Sequence, residues 1–295
     1  MDSHLKKVLH MMPTPPLPLA ELIGQHAHTL TKSERRVAEI VLQQPKFVAF
    51  GTVSDLAHAA ESGVATVARL SSKLGFSGFS DMQNAVRHGL ASLLEPAAVR
   101  IKDNANSTLE HHLQMEISNL QHTLNNIDQV KLEASIAQLS ELKSSIYVIS
   151  GNASRGVAQQ FIEDLSALRP HVYMVEGNPV QVARTMTQLN SNDAIVAIDL
   201  RRYDRWVVEA VETAHERGLK VIAIIDSVLS PLSTLTSQVM VVAAAGAGPF
   251  DSHVGTLALL NVLVAGTAEK LRRSASSRLS QAEDAWHTAD VLVDR

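Results

Sequence analysis

The chain of 295 residues contains no cysteine. That absence excludes disulfides, thiolate catalysis and zinc fingers. No run of about 18 or more uncharged apolar residues reads as a membrane span. The most apolar stretch, 253–268, is shorter and suits a buried helix. A signal peptide is missing too. Lys6 and Lys7 are present, but Pro13, Pro15, Pro16 and Pro18 break up residues 1–19, which read as a disordered tail. Charge of one sign is not in large excess: the net charge is −4, which argues against a general nucleic-acid coat. His111 and His112 do not form a metal pair, because adjacent helical residues do not face one another. These absences predict a cytoplasmic protein with no membrane partner, metal or cofactor.

The composition that is there, 45% hydrophobic and 19% charged, is that of a globular protein with room for two domains. Charge is unevenly spread. Residues 1–95 hold 9 Lys and Arg against 8 Asp and Glu, a net +1, and residues 96–295 hold 17 against 22, a net −5. The sign suits an N-terminal DNA reader. Because phosphate contacts supply most of the affinity, so small an excess predicts that a homodimer or homotetramer is needed.

Residues 53–76 carry the most information. The spacing predicts a short helix over Ser54–Ala60, capped by Ser54 and with Leu56, Ala57 and Ala60 on one face. Glu61-Ser62-Gly63 forms a turn in which Gly63 takes a positive φ, or Ser62 and Gly63 share the next cap. A second helix follows over about Val64–Leu74. Its Val67, Leu70 and Leu74 make one apolar stripe. Ala65, Arg69 and Ser72 point the other way, with Thr66 and Lys73 on the flank. Such a helix-turn-helix suits the DNA major groove: small residues allow close approach, Arg reads guanine edges, and hydroxyls and Lys hold phosphates. A plain helical hairpin with solvated Arg69 and Lys73 is the alternative. Upstream, Thr31 and Glu34 form a capping box, Val37, Ile40 and Val41 point inward, Arg35 and Arg36 stay outside, and Pro45 ends the helix. Phe76, Phe79, Met82 and Val86 close a small helical core.

Three runs carry a resemblance: Leu-Thr-Lys-Ser-Glu-Arg-Arg-Val-Ala (30–38), Thr-Val-Ala-Arg-Leu (66–70) and Lys-Leu-Gly-Phe-Ser-Gly-Phe-Ser-Asp-Met (73–82). They resemble the N-terminal domain of the RpiR/MurR family of bacterial transcriptional regulators. The resemblance implies a DNA operator as partner; with the helix faces above, the candidate DNA contacts are Ser62, Ala65, Thr66, Arg69, Ser72 and Lys73, with Arg35 and Arg36 beside them. Members often carry Ser where this chain has Gly63, so the cap is expected from Ser62.

Glu95-Pro96 ends this domain, 20–95. Residues 96–128 form a helical linker whose helix, about Thr108–Ile127, spaces Leu113, Ile117, Leu120, Leu124 and Ile127 as a coiled-coil-like seam or as a face for the next domain. From 129 the rhythm becomes strand–helix alternation, with strands at 145–150, 171–175, 193–199, 220–226 and 238–242 and helices at 204–217 and 252–271. Continuous Ile, Val and Ala runs imply a five-stranded parallel sheet covered on both faces. Ligands of such sheets bind beyond the C-terminal strand ends. The fold class expected is therefore an all-α helix-turn-helix domain followed by an α/β domain.

Ile-Tyr-Val-Ile-Ser-Gly-Asn-Ala-Ser (146–154), Arg-Gly-Leu-Lys-Val-Ile-Ala-Ile-Ile-Asp (217–226) and Ser-Pro-Leu (230–232) make 129–273 similar to the SIS (sugar isomerase) domain that follows in RpiR/MurR regulators. The resemblance implies a phosphosugar-type ligand held by hydroxyls and backbone N–H groups. Asn152 and Ser154 retain part of that chemistry. After the third strand, however, the family's Ser-X-Ser-Gly loop is replaced by Asp199-Leu200-Arg201-Arg202-Tyr203. Either Arg201 or Arg202 binds an anionic effector, a sugar phosphate or a carboxylate, or the arginines pair with Asp199, Asp204 or a neighbouring subunit. Ser252 caps the last helix or, with Asp251 and His253, faces the pocket. Arg155 is a further anion candidate. A sugar-phosphate isomerase with a vestigial helical domain is the competing function, with Glu176 and His253 as candidate bases. A scaffold oligomer without DNA binding is the third. Residues 274–295 read as a polar C-terminal tail with Leu279, Trp286 and Val291 as docking points.

Overall fold

The computed structural model describes residues 19–94, 97–103, 108–228, 230–291 and 293. The expected N-terminal tail, up to residue 18, lies outside them. The chain divides into two compact units, 1–93 and 94–295.

The first unit is helical: α1 (Leu19–His26), α2 (Lys32–Gln43), α3 (Pro45–Phe50), α4 (Val53–Ala59), α5 (Val64–Lys73) and most of α6 (Phe79–Leu94). Thr31 opens α2 with the expected capping box: its hydroxyl accepts the Glu34 N–H and the Glu34 carboxylate accepts the Thr31 N–H. Pro45 does more than end α2. Its fixed φ suits the first position of a helix, and it starts α3. The cap of α4 is Thr52 rather than Ser54, again in a capping box, with Asp55. Val37, Val41, Val48, Leu56, Val67, Leu70, Leu74, Met82 and Val86 meet in one core. Each such side chain contributes about 1.5–3 kcal/mol by leaving water.

The turn between α4 and α5 differs from expectation. Glu61, not Gly63, takes the left-handed conformation, with φ 46°. The Glu61 and Ser62 N–H groups donate to the His58 and Ala57 carbonyls, closing α4 in a Schellman motif. Gly63 has extended backbone and caps α5 without a side-chain hydrogen bond. The end of α5 repeats the motif with a true glycine, Gly75, at φ 87°.

The second unit begins with α7 (Ala97–Asp103), α8 (Leu109–Asn125) and α9 (Gln129–Leu139). It continues with β1 (Ile146–Ser150), α10 (Arg155–Leu168), β2 (Val172–Met174), α11 (Pro179–Gln188), β3 (Ala194–Asp199), α12 (Arg205–Glu216), β4 (Lys220–Ile225), β5 (Gln238–Val241), α13 (Val254–Lys270) and α14 (Arg272–Ala289). The strands pair in parallel in the order β2-β1-β3-β4-β5. Alternate residues serve opposite layers, as the pleat demands. Ile146, Val148, Val196, Ile222 and Ile224 pack with α9, α10 and α13, while Ile149, Ile195, Ala197, Val221 and Ile225 pack with α11 and α12. This two-sided burial explains the unbroken apolar runs. The chain leaves β1 through α10 on one face, toward β2, and leaves β3 through α12 on the other, toward β4, so the carboxyl ends of β1 and β3 bound a crevice.

Two expectations for this unit change. On α8 most of the proposed seam faces outward: Leu113, Ile117 and Leu124 are exposed and Leu120 is half-buried, while Ile127, just past the helix, packs against the sheet's core; Asn119 and Thr123 are the buried residues of the helix. The reason is the backbone of 243–245, which runs on from β5 and takes its partners from side chains. The Asn119 side chain donates to the Ala245 carbonyl (2.8 Å) and accepts its N–H (3.1 Å), and Thr123 Oγ1 accepts the Ala243 N–H (2.9 Å). The stretch expected as a polar tail forms α14, with Ala275 buried and Arg278 donating to the Ser166 carbonyl; Leu279, Trp286 and Val291 are exposed. No single helix among the described residues is long and apolar enough to cross a membrane.

Candidate functional site

The outward face of α5 presents Ala65, Ala68, Arg69 and Ser72, all exposed. Thr66 does not share it. Only 7% exposed, it turns inward one residue from Val67, and its hydroxyl accepts a hydrogen bond from Arg69 Nη2 at 3.2 Å. Thr66 therefore braces Arg69 rather than reaching outward. Lys73 is also committed. Its Nζ lies 2.7 Å from Glu34 Oε2 and 3.1 Å from the Thr29 carbonyl, tying α5 to α2. That ammonium, with the Thr31 N–H, holds the buried Glu34 carboxyl below the usual carboxylate range. Arg36 donates to the Glu61 carbonyl at 2.9 Å and pairs with its carboxylate at 3.3 Å, so it buttresses the turn. Ser62 is half-buried, and its hydroxyl points back to the Ala57 carbonyl. Arg35 is exposed on the outer side of α2. Of the eight predicted contacts, Ala65, Arg69, Ser72 and Arg35 lie outward, while Thr66, Lys73, Arg36 and Ser62 hold the frame.

In the second unit the loops after β1 and β3 meet at the crevice. The Asn152 N–H donates to Asp204 Oδ2 at 2.6 Å, and the Asp204 N–H donates to Asp199 Oδ2 at 2.9 Å. A Cβ at Gly151 would collide with Asp199 Oδ1, so only glycine admits this carboxylate. Burial, reinforced by the charges of Asp204 and Asp226, raises the Asp199 pKa to about 7. At the end of β4, Asp226 accepts a hydrogen bond from the Tyr203 hydroxyl at 3.0 Å. Burial pushes both groups up. The alternative in which the arginines pair with Asp199 or Asp204 does not describe this loop. Arg201 Nη2 lies 2.5 Å from Asp251 Oδ1. Arg202 is exposed, on left-handed backbone with φ 66°.

Ser154 is buried in the loop after β1, and its hydroxyl has no hydrogen-bond partner among the described residues. His253 lies against the backbone of Ala153 in the same loop, and burial pushes its pKa down. Its Nδ1 likewise has no partner among the described residues. Ser252 only half fits the role of cap. His253 is the formal N-cap of α13, while the Ser252 hydroxyl accepts the Val254 N–H and donates to Glu116 Oε2 at 2.5 Å. Arg155 pairs with Glu176, and both are exposed. The crevice thus gathers Asn152, Ser154, Asp199, Arg201 and His253, while Arg155 and Arg202 are exposed beside these loops in sequence. Tyr203 and Asp226 join it through their hydrogen bond, and Arg100 through Asp251, which it shares with Arg201. In the sequence Tyr203 stands in the loop after the third strand and Asp226 at a strand's carboxyl end, and nothing local signals Arg100.

Residues 17–93 match the model of the rpiR-family helix-turn-helix domain, and residues 138–266 match that of the SIS domain. An HTH-type transcriptional regulator of Haemophilus influenzae is 25% identical over 227 residues, covering 74% of this chain and 77% of its own. The sugar isomerase domain of an RpiR transcription factor from Sphaerobacter thermophilus is 27% identical, with a TM-score of 0.56, over 59% of this chain and 97% of that one. The NanR protein of Vibrio vulnificus, solved with ManNAc-6P, shares the fold over 94% of this chain and 99% of its own, at 22% identity and a TM-score of 0.56. A helix-turn-helix unit followed by a SIS domain defines the class, a transcriptional regulator. The chain belongs to the RpiR family.

Proposed function

We propose that the chain binds an operator through the outward face of α5, as a homodimer or homotetramer, and that a small anionic metabolite at the β1/β3 crevice changes that binding. The observation that carries the DNA reading is Arg69, exposed on the second helix of the helix-turn-helix and braced by Thr66. Ala65 and Ser72 flank it and allow close approach to base edges. This division of labour assigns the DNA role to 20–95 and the effector role to 129–273, with 96–128 part of the second compact unit. Self-association compensates for the weak positive charge of residues 1–95, and the exposed apolar row on α8 suits it.

Arg201 at the crevice supports an anionic effector, a sugar phosphate or a carboxylate. The fold shared with NanR, whose structure holds ManNAc-6P, is consistent with the first. Turnover of such a ligand is not expected. Glu176, one of the two candidate bases, is tied to Arg155 at the surface. Effector and operator are then reciprocally coupled.

Selection of bound duplexes from a random pool, followed by anisotropy titrations, tests the DNA reading. Arg69→Ala is expected to lose discrimination at one base pair while folding normally. No selected sequence, or equal discrimination by the variant, overturns it. A thermal-shift screen of the full chain against paired phosphorylated and unphosphorylated sugars and carboxylic acids tests the effector reading. Stabilisation by an anionic compound that Arg201→Ala abolishes supports it, and stabilisation by neutral compounds alone overturns it.

A further inference from the structure

The outward face of α5 begins with a residue that the fold hardly uses. Val64, the first of the helix, is 46% exposed, whereas Val67 is fully buried. Gly63 before it brings no side-chain hydrogen bond to the helix start, where Ser, Thr, Asn or Asp would cap better. Neither backbone nor packing asks for glycine there: φ is −96°, and a Cβ would meet nothing within 4 Å. An uncapped start followed by an exposed β-branched side chain runs against local stability. Sequences keep such choices where function calls for them.

The chemistry of the face limits what it can read. By their spacing of four, Val64, Ala68 and Ser72 form one row, and Ala65 and Arg69 the next. All five are exposed. The Ser72 hydroxyl donates to the Ala68 carbonyl at 3.1 Å, so its hydrogen is engaged within the helix. Val64, Ala65 and Ala68 present only carbon. Arg69 is the one long donor of the five. In the major groove guanine offers two acceptors and thymine a methyl group. The first residues of a recognition helix are the ones that reach base edges.

We propose that Val64 is a specificity-determining residue of α5 that reads the 5-methyl group of a thymine, while Arg69 reads a guanine. The two residues are five apart, about 7.5 Å along the helix, or about two base-pair steps of the duplex. The thymine therefore lies within about two base pairs of the guanine. Ala68, one turn on from Val64, lets the helix approach closely enough for the short valine to touch. The inference rests on the DNA reading of α5 and adds to it the kind of base at a second position.

The test uses full-length protein and duplexes that it selects from a random pool. Single thymines are replaced by deoxyuridine, which removes the methyl group and nothing else. Anisotropy titrations at one salt concentration give each affinity. At a thymine within about two base pairs of the Arg69-dependent position, uracil is expected to weaken wild-type binding about fourfold, the factor for one buried methyl. Val64→Ala is expected to bind thymine and uracil there alike, and the thymine duplex about fourfold more weakly than wild type does. Three results overturn the proposal: uracil tolerated at every thymine, no thymine near the Arg69-dependent pair, or a thymine-to-uracil ratio that Val64→Ala leaves unchanged. In each of them, lost discrimination in Arg69→Ala leaves the DNA reading standing. Failure to select any sequence overturns both.

Discussion

Asp199 is a buried carboxyl whose pKa is raised from the usual carboxylate range to about 7. A group that holds its proton more tightly in the folded state stabilises the fold at low pH, and that stability is lost as pH rises through the folded value. The interval runs from about 4, where the unfolded carboxyl titrates, to about 7, some three pH units at about 1.36 kcal/mol each. The ceiling is therefore about 4 kcal/mol, nearly all of it lost by pH 7. Asp199→Asn keeps an acceptor for the Asp204 N–H and removes the charge. It is expected to match wild type near pH 4 and to exceed it by up to about 4 kcal/mol at pH 8. Urea unfolding followed by tryptophan fluorescence is the assay, because both tryptophans, Trp206 and Trp286, lie in the second unit. A gap that is the same at pH 4 and pH 8, or that favours wild type at pH 8, refutes the reasoning.

Glu61→Gly relieves left-handed backbone on a non-glycine residue and keeps the carbonyl that Arg36 uses. Thermal melting should show a gain of about 1 kcal/mol in the first unit. Lys73→Met strands the buried Glu34 carboxylate and should cost about 1–3 kcal/mol of stability, whereas Arg69→Ala should leave stability unchanged and reduce base discrimination by about 1–3 kcal/mol. Equal melting of the two variants would contradict the division between frame and reading face. Gly255→Ala places a Cβ 2.5 Å from Thr123 Oγ1 and 2.7 Å from the Ala243 carbonyl. The second unit should lose about 1–3 kcal/mol in urea titrations, and an unchanged midpoint would show that α8 and α13 yield without cost.

Periodicity made the strands and the two short helices legible, because Val67, Leu70 and the β3 run bury the faces their spacing dictates. Other features obey interactions that local spacing does not encode. The αL residue is Glu61 because the Schellman bonds of α4 fall there, although glycine stands two residues on. Thr52-Val-Ser-Asp55 was a readable capping box, overshadowed by Ser54. Asn119 and Thr123 face inward to satisfy backbone 126 and 120 residues away, and no apolar count can register that. The same distance hid the site: Arg100 meets Asp251 across 151 residues. The arginines of 201–202 advertised an anion partner, and the sequence offered several nearby acids without ranking them.

The six residues of β3 are all buried, and the chain leaves the sheet at once into 200–204, whose backbone is hooked by the Asp199–Asp204 contact. Ligand chemistry and scaffold are consequently written in separate stretches of sequence. Under the proposed effector reading, exchanging 201–203 redraws what the crevice welcomes without touching one strand hydrogen bond, and the first substitutions to be tolerated should be those at Arg202, exposed and outside every strand.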